Sequence, residues 1–306
     1  MDLILDCDPG HDDAIALLLA LASPEAKLVG VTTVAGNQTL EKTTANALRL
    51  LEFAGRADVP VAAGAARPLV RERHVAANVH GESGLDGPDL PPPAGVPIAQ
   101  HAVDYLAENV AGRTLVATGP LTNVGLLLSL HPDARPERIV LMGGAIGEGN
   151  VTPAAEFNIW ADPEAALLVF ESGIDVTMVG LDVTHRAIVT PAVAEELRGA
   201  GRAGKLVAEL VDFYSRFHRE RYPELGGSPM HDPVALAYAL RPELLEVREA
   251  HIEVDCAWGQ GRGRTNVDFR GRGGAVNANV TVGIDSEAFI RLLVERITSL
   301  RPSNEG

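Results

Sequence analysis

The sequence predicts an α/β fold built on an open, mostly parallel sheet with helices on both faces and antiparallel strands near the C-terminus. Two observations support this prediction. Short apolar runs alternate with helix-like stretches through the first half of the chain, and this order implies right-handed crossovers between parallel strands. From about Glu246 onward, strand-like runs follow one another with short turns between them, as antiparallel neighbours do.

The individual elements are predicted from the periodicity of apolar residues and from turn residues. An apolar strand around Ile4 and Leu5 leads through a Pro-Gly turn into a helix that begins near Asp12. Apolar runs that end in turns predict further parallel strands at 27–34, 59–63, 115–118, 139–142 and 176–179. Helices are predicted over 39–54, from Pro163 and over 286–300, and antiparallel strands at 250–256, 264–269 and 275–282.

The composition is that of a globular protein, since 46% of the 306 residues are hydrophobic and 22% are charged. The chain shows neither an internal repeat nor a long linker, so we expect one α/β domain over 1–306. The net charge of −15 argues against a nucleic acid or an anionic membrane as a partner. A strand close to the N-terminus and the lack of a membrane-length apolar run lead us to expect a cytoplasmic protein with reduced Cys7 and Cys256.

The segment 6–13, Asp-Cys-Asp-Pro-Gly-His-Asp-Asp, places four carboxylates within eight positions. Asp8 would lie at the carboxyl end of the first strand, with Asp12 and Asp13 in the first helical turn, where the helix dipole tolerates negative charge. Crowded carboxylates repel one another, and oxygen-only ligands favour Ca²⁺ or Mg²⁺ over Zn²⁺ as the compensating cation. The alternative is that Asp12 is an N-cap and Asp13 a first-turn acid, which leaves Asp6 and Asp8 unexplained.

Several other predicted strands also end in residues that are suited to a binding site. Because the carboxyl ends of parallel strands meet at one edge of a sheet, these positions are expected to converge. They are Asp8, Asn37, Thr118, Met142 and Asp182.

The 6–13 segment resembles the N-terminal signature of the nucleoside hydrolases of the inosine–uridine-preferring type. At least five segments between Asp6 and about Asp232 follow the order of that family. The resemblance implies an open, mostly parallel, Rossmann-like α/β sheet, which agrees with the fold predicted above. It also implies Ca²⁺-dependent hydrolysis of the N-glycosidic bond of ribonucleosides to ribose and free nucleobase, by a homodimer or homotetramer.

Glu156 and Asn158 lie two residues apart, so an extended backbone would direct both side chains to one face. A carboxylate and an amide that point together suit the hydroxyl groups of a sugar. The alternative is turn chemistry ahead of the helix that begins at Pro163. Nucleoside hydrolases carry a similar Glu-Phe-Asn segment that binds ribose, which favours a substrate site at Glu156, Phe157 and Asn158.

His231 and Asp232 stand immediately before an apolar helix-like stretch. Asp232 could be merely an N-cap with Pro233 at the first helical position, although that interpretation leaves His231 unexplained. In the family, the matching His-Asp pair supplies the acid for the leaving group and a metal ligand.

The resemblance implies a role for each matching position. Asp8 would take the proton of the attacking water, and His231 would help to protonate the departing base. The side-chain ligands of Ca²⁺ would be Asp8, Asp13 and Asp232, with the backbone carbonyl of Thr118. The ribose-holding positions would be Asp12, Asn37, Asn150, Glu156 and Asn158, with Met142 lining the pocket and with His80 and His231 beside the nucleobase.

The base preference remains open at this stage. Tyr214, Phe217, His218 and Tyr222 could face the nucleobase or could be core and surface residues of one amphipathic helix. The long loops 70–97 and 221–229 are candidate lids or plain surface excursions.

Other functions fit parts of the sequence less well. A hydrolase of the same fold could act on a modified nucleoside or another N-riboside. A catalytically silent Ca²⁺- or nucleoside-binding protein should have lost Asp8 or His231, and both are present. Phosphoryl transfer of the haloacid dehalogenase type is disfavoured by Gly10, because that motif continues toward Thr or Val. A phosphate loop at Gly204-Lys205 is excluded because Leu206 stands where Ser or Thr must bind Mg²⁺.

Overall fold

The computed structural model describes residues 1–301, and the end of the predicted domain, 302–306, lies outside the described residues. The strands are β1 (Asp2–Cys7), β2 (Lys27–Thr33), β3 (Val61–Ala63), β4 (Thr114–Ala117), β5 (Arg138–Met142), β6 (Asp175–Val179), β7 (Ile188–Val189), β8 (Ser228–Pro229), β9 (Leu245–Val254), β10 (Thr265–Asp268) and β11 (Ala278–Ile284). The helices are α1 (His11–Ala22), α2 (Leu40–Phe53), α3 (Ala77–His80), α4 (Ala102–Asn109), α5 (Thr122–Leu130), α6 (Phe157–Ala161), α7 (Pro163–Phe170), α8 (Leu181–Thr184), α9 (Pro191–Arg198), α10 (Gly201–Arg221), α11 (His231–Leu240) and α12 (Ser286–Ser299).

The main sheet has nine strands in the order β10-β9-β11-β6-β5-β4-β1-β2-β3. All neighbours from β11 to β3 pair in parallel, whereas β9 is antiparallel to both β11 and β10. The predicted open, mostly parallel sheet with antiparallel strands near the C-terminus is therefore confirmed. Strand β11 pairs in both ways, because it is antiparallel to β9 on one side and parallel to β6 on the other. The short strands β7 and β8 form a separate antiparallel pair.

Hydrophobic cores lie on both faces of the sheet, as an α/β sheet with helices on both faces requires. Along β1, Leu3 and Leu5 belong to one core and Ile4 to the other, and all three side chains are fully buried. Helix α1 is buried along 11–20 because α2, α10, α11 and α12 pack around it. This burial on every side explains why the helix has no polar face after its first turn.

The order of the strands reverses at β1, and this reversal places the site. The chain runs from β1 outward to β2 and β3 on one side and then returns to place β4 against the other side of β1. Open α/β sheets bind ligands in the crevice at the carboxyl ends of the strands beside such a switch point. Asp8 directly follows β1 and Thr118 directly follows β4, so both lie at this crevice.

Among residues 1–301, none of the helices has the length and apolarity needed to cross a lipid bilayer. Both cysteines are free thiols, with Cys7 buried in β1 and Cys256 partly exposed after β9.

Candidate active site

A cavity of about 450 Å³ opens at the crevice beside β1 and β4. Most of the predicted site residues line it, namely Asp12, Asn37, His80, Thr118, Met142, Asn150, Glu156, Phe157, Asn158, His231 and Asp232. Asp8 and Asp13 do not reach the cavity surface and are fully buried behind these residues. The tertiary structure therefore brings together segments that are spread over more than two thirds of the chain.

The carboxylates of Asp12, Asp13 and Asp232 form a buried cluster, in which one oxygen atom from each lies within 4.8 Å of the others. The cluster exists because the N-termini of α1 and α11 pack side by side. The N-caps are Gly10 and Met230, so Asp12 and Asp232 both lie in the first turn of their helices. The N-cap alternative is thus wrong for both residues. The prediction of Asp12 and Asp13 in the first turn of α1 is confirmed.

Asp13 and Asp8 are held by a network of hydrogen bonds. The Asp13 carboxylate accepts from the hydroxyl of Thr118 at 2.8 Å, from the side-chain amide of Asn37 at 2.9 Å and from the backbone N–H of Gly10 at 3.1 Å. The backbone N–H of Asn37 donates to Oδ2 of Asp8 at 2.6 Å. Oδ1 of Asp8 is buried and has no hydrogen-bond partner within residues 1–301. Asn37, which was expected to hold ribose, therefore orients the two carboxylates.

The backbone closes tightly around Asp8 at two glycines. A Cβ atom on Gly119 would lie 2.6 Å from Oδ1 of Asp8, and one on Gly36 would collide with Oδ2. Any larger residue at either position would displace the carboxylate, so these turns need glycine to let the backbone approach so closely.

Burial dominates the electrostatics of the acidic cluster. It raises the pKa of Asp8 and Asp232 well above the usual value and that of Asp12 to about 7, and repulsion from neighbouring carboxylates adds to each shift. The pKa of Asp13 is also raised by burial, against the hydrogen bonds that it accepts. Oxygen-only donors, mutual repulsion and the unpaired Oδ1 of Asp8 together fit a hard divalent cation.

The segment around Glu156 adopts a different backbone from the one that the sequence predicts. Glu156 is extended, but Asn158 lies in the first turn of α6, so the extended backbone that was considered for this pair does not continue through Asn158. Oε2 of Glu156 caps this helix by accepting from the N–H of Ile159 at 3.1 Å. Both side chains nevertheless line the cavity. The side-chain amide of Asn158 also donates to the backbone carbonyl of Thr118 at 2.7 Å.

Aromatic and imidazole rings form another part of the cavity lining. Helix α10 contributes Tyr214, Phe217 and His218 to it, and Tyr222 follows the helix directly. Tyr214 and His218 contact edge to face, with their ring centroids 4.4 Å apart, and the hydroxyl of Tyr214 donates to Oδ2 of Asp12 at 3.4 Å. The residues whose orientation the sequence left open thus line the cavity.

His231 is positioned from behind by Thr184, whose hydroxyl lies 2.7 Å from Nδ1 of the ring. The pairing of β7 with β8 brings these two segments together, because it joins the chain just after α8 to the chain just before α11. This contact leaves Nε2 as the ring nitrogen that is available to a ligand. Burial lowers the pKa of His231 well below its usual value, and it lowers that of His218 to about 4.

His80 comes from α3, inside the long loop 70–97, and is tied to α1. The backbone N–H of His11 donates to Nδ1 of His80 at 3.2 Å, and Nε2 of His11 lies 2.8 Å from the carbonyl oxygen of Asp86. The rings of His11 and His80 stack with their centroids 5.4 Å apart. The loop therefore forms part of the cavity wall and is fastened to the acidic end of α1.

A comparison with known proteins agrees with the site. Residues 3–291 match the model of the family described as inosine-uridine preferring nucleoside hydrolase. The chain belongs to this family. It is 50% identical to proteins named pyrimidine-specific ribonucleoside hydrolase RihA from Shewanella sp. (strain ANA-3), with 98% of this chain and 97% of that protein covered, and from Salmonella agona (strain SL483), with 97% and 98% covered. Among solved structures, the purine-preferring ribonucleoside hydrolase from Gardnerella vaginalis superposes with a TM-score of 0.93 at 36% identity, over 98% of this chain and 99% of that one.

The resemblance seen in the sequence and the enzyme class are thereby confirmed, and the chain is a nucleoside hydrolase. The residues of this nucleoside hydrolase that the sequence did not reveal include two beside His231. His185 lines the cavity 5.4 Å from His231 between ring centroids, and Thr184 supports His231. Both lie within three residues of Asp182, which follows a predicted strand. A search of the first helical turn after each predicted strand, and not of the strand end alone, would have found them.

Proposed function

We propose that this nucleoside hydrolase cleaves the N-glycosidic bond of pyrimidine ribonucleosides in a Ca²⁺-dependent reaction that yields ribose and the free base. The observation that carries the proposal is that one cavity is lined by two chemically different sets of side chains. One set consists of buried carboxylates and amides, and the other consists of aromatic rings with imidazoles of lowered pKa. The polar set suits a cation, a sugar and an attacking water, and the flat, uncharged set suits a nucleobase.

Ca²⁺ would be held by the side chains of Asp8, Asp13 and Asp232 and by the backbone carbonyl of Thr118. The carbonyl oxygen of Thr118 accepts one hydrogen bond from Asn158 and keeps a second lone pair for a cation. The proximity of Asp12 to Asp13 and Asp232 makes it a further candidate ligand or a contact to the sugar. When bound, the cation supplies charge neutralisation and polarises a water and the ribose hydroxyls.

Asp8 is the proposed general base, because its Oδ1 is buried beside the acidic cluster and lacks a protein partner within the described residues. Its other oxygen is fixed by the N–H of Asn37, so the free oxygen has a defined direction. Hydrolysis of a glycosidic bond needs an activated water and a stabilised oxocarbenium-like sugar. Asp8 would accept the proton of that water as the bond to the anomeric carbon forms.

His231 is proposed to assist the leaving base by donating a hydrogen bond from Nε2. The hydroxyl of Thr184 can donate to Nδ1, which places the proton of the neutral ring on Nε2. A pyrimidine leaves poorly as an anion, so a donor beside the base lowers the barrier to bond cleavage.

The sugar would be held by Asp12, Asn37, Asn150, Glu156 and Asn158, with Met142 beside it. These groups suit the 2′- and 3′-hydroxyls, so ribonucleosides should be better substrates than 2′-deoxyribonucleosides. Asn37 would act in part through the carboxylates that it orients. Phe157 and His80 would contact the nucleoside from the α6 and α3 sides of the cavity.

The pyrimidine preference is supported by the relatives that are 50% identical and named pyrimidine-specific. Purine nucleosides are the second candidate, because the Gardnerella vaginalis structure, at 36% identity, is named purine-preferring. The proposal also includes a homodimer or homotetramer, as the family resemblance implies. Light scattering coupled to size-exclusion chromatography measures the assembly directly.

The test is the release of reducing sugar from uridine, cytidine, inosine and 2′-deoxyuridine, measured before and after exhaustive chelation. We expect uridine and cytidine to be cleaved fastest, chelation to abolish release, and added Ca²⁺ to restore it. Mg²⁺ and Zn²⁺ serve as matched additions that identify the cation. Sugar release that survives chelation contradicts the metal, and inosine as the best substrate contradicts the pyrimidine preference.

A further inference from the structure

The 143–156 loop, which joins β5 to α6, brings Asn150 and Glu156 to the cavity. It starts with two glycines of positive φ, Gly143 and Gly144, where other residues would be strained. The loop contains no helix or strand, so its position depends on hydrogen bonds to other parts of the molecule.

The first of these anchors is Thr265, at the start of β10. Strands β9 and β10 extend the sheet beyond β11 in antiparallel pairing, and we call them the antiparallel extension. Its hydroxyl donates to the carbonyl of Ala145 at 2.7 Å and accepts from the N–H of the same residue at 3.0 Å. One side chain thus satisfies both backbone groups of Ala145, as a neighbouring strand would do. Thr265 is buried, and a Cβ atom on Gly144 would lie 3.0 Å from its Cγ2, so the loop packs directly on it.

The second anchor is Asp182 in α8. Its carboxylate accepts from the N–H of Ile146 at 2.6 Å and from the N–H of Gly147 at 3.0 Å. The sequence places Asp182 among the polar residues at strand ends, and it does not line the cavity. It binds the loop next to the cavity instead.

The end of the loop that Thr265 and Asp182 hold is joined by a hydrogen bond to the proposed sugar site. The N–H of Gly144, one residue before the Thr265 contact, donates to Oε2 of Glu156 at 3.0 Å. The far end closes in the same way, because Oδ1 of Asn150 accepts from the N–H of Phe157 at 2.9 Å. A displacement at 144–147 therefore moves the carboxylate and the amide that face the substrate.

We propose that Thr265 and Asp182 are positioning residues that set the affinity of the enzyme for the ribose part of its substrate by fixing the 143–156 loop. The inference rests on the proposed function, in which Asn150 and Glu156 contact the sugar. It gives the antiparallel extension a role in the reaction, through one hydroxyl group that reaches from β10 to the loop.

Replacing Thr265 by Val keeps the shape of the side chain and removes both hydrogen bonds to Ala145. Because contacts to the sugar are made in the ground state as well as in the transition state, their loss raises KM and leaves kcat nearly unchanged. We expect KM for uridine to rise about tenfold and kcat to stay within about twofold. KM for inosine should rise by the same factor, since the loop contacts the sugar and not the base.

The experiment compares Thr265→Val, Thr265→Ser and Asp182→Ala with Thr281→Val in full steady-state kinetics. Thr265→Ser restores the hydroxyl and should return KM to within about twofold of the wild-type value. Thr281 is the matched control, because its buried hydroxyl donates at 3.2 Å to the carbonyl of Met178 on the sheet, and no hydrogen bond within residues 1–301 joins its side chain to the loop. Asp182 is only half-buried, so Asp182→Ala tests the second anchor if Thr265→Val does not fold.

An increase of KM in Thr265→Val and Asp182→Ala, with rescue by Ser and an unchanged KM in Thr281→Val, supports the proposal. A fall of kcat alone, or the same kinetics in Thr265→Val and Thr281→Val, overturns it, because either result shows only a loss of folded enzyme. Wild-type enzyme that cleaves inosine but neither uridine nor cytidine overturns the pyrimidine preference alone. The KM comparison is then made with inosine.

Discussion

Burial shifts the pKa values of two groups of side chains at the cavity in opposite directions. We call the first group, which consists of Asp8, Asp12, Asp13 and Asp232, the acidic floor. The second group is the imidazole wall, which consists of His80, His185, His218 and His231. Burial raises the pKa of the acids on the floor and lowers that of the imidazoles on the wall, because in both cases it disfavours the charged form.

The consequences of this burial differ between the two groups. An imidazole becomes neutral when it loses a proton. Neutral rings can pack against a nucleobase without a counter-ion. Carboxylates that lose their protons here repel one another, since Asp12, Asp13 and Asp232 lie within 4.8 Å, and a bound cation would offset that repulsion. The same burial thus favours a cation beside the acids and an uncharged surface beside the imidazoles.

The largest effect is expected on the floor, from Asp8→Ala. This substitution removes a buried carboxylate whose Oδ1 has no hydrogen-bond partner within residues 1–301, and with it the proposed general base. We expect kcat for uridine to fall about 10³-fold or more. The control is Asp175→Ala, an exposed acid at the start of β6, which should leave the rate unchanged. A near-normal rate of ribose release in Asp8→Ala removes this residue from the mechanism.

On the wall, the expected effect depends on the leaving group. His231→Ala should reduce ribose release from uridine about 10²-fold, because the departing uracil loses the hydrogen bond from Nε2 that stabilises its developing negative charge. A nitrophenyl riboside has a leaving group that is already stable as an anion, so its hydrolysis should fall by less than about tenfold. Parallel kinetics on the two substrates give the comparison, and equal losses on both contradict the leaving-group role.

The third prediction concerns the pH dependence of Ca²⁺ binding by the floor. A carboxyl group must lose its proton to bind the cation, and the pKa of Asp12 is about 7. Ca²⁺ should therefore bind about tenfold more weakly at pH 6 than at pH 8, as measured by calorimetry. Asp12→Asn should bind Ca²⁺ more weakly overall and with a smaller pH dependence, because Asp8 and Asp232 keep their raised pKa values. A Kd that is independent of pH in the wild-type enzyme shows that Ca²⁺ binding releases no proton in this range and contradicts the prediction.

The smallest effect is expected from the wall, in acid unfolding. The pKa of His218 is about 4 in the folded state against a usual 6.5, so between these values the unfolded chain binds more protons. Stability is therefore lost as the pH falls from about 6.5 toward about 4. His218→Gln should move the acid-unfolding midpoint lower by about half a pH unit. His74→Gln, at an exposed position, is the control, and equal midpoints in all three proteins argue against buried neutral His218.

The fold was largely predictable because its signals are local. The apolar runs of β1, β4, β5 and β6 identify buried parallel strands, since strands covered on both faces need no polar side. The parallel pairing of β11 with β6 was not predicted, because it joins residues that lie about a hundred positions apart. The switch point beside β1 likewise follows from the order of the strands in space, which no local pattern records.

The acidic floor was easier to predict than the imidazole wall. Its first acids are close neighbours in the sequence, where their density has no simple structural explanation. His185 and Tyr214 come from separate elements, and in each the aromatic or imidazole residue is equally compatible with a surface or a core position. The extended backbone that was considered for Glu156 and Asn158 does not continue through Asn158, because Glu156 turns the chain into α6 by capping it.

The sequence by itself determined the class of sheet, the acidic turn after β1 and the nucleoside hydrolase family, because each depends on residues that are contiguous or follow a short period. Only the tertiary structure decided that Asp232 joins Asp12 and Asp13, that Thr184 supports His231, and that Thr265 holds the loop of Glu156. Thr184 and His231 are 47 positions apart, Thr265 and the loop residue Ala145 are 120 apart, and Asp232 is still farther along the chain from Asp12. Their geometry arises from the packing of α11 on α1 and of the extension on the sheet, and packing is a property of the whole chain.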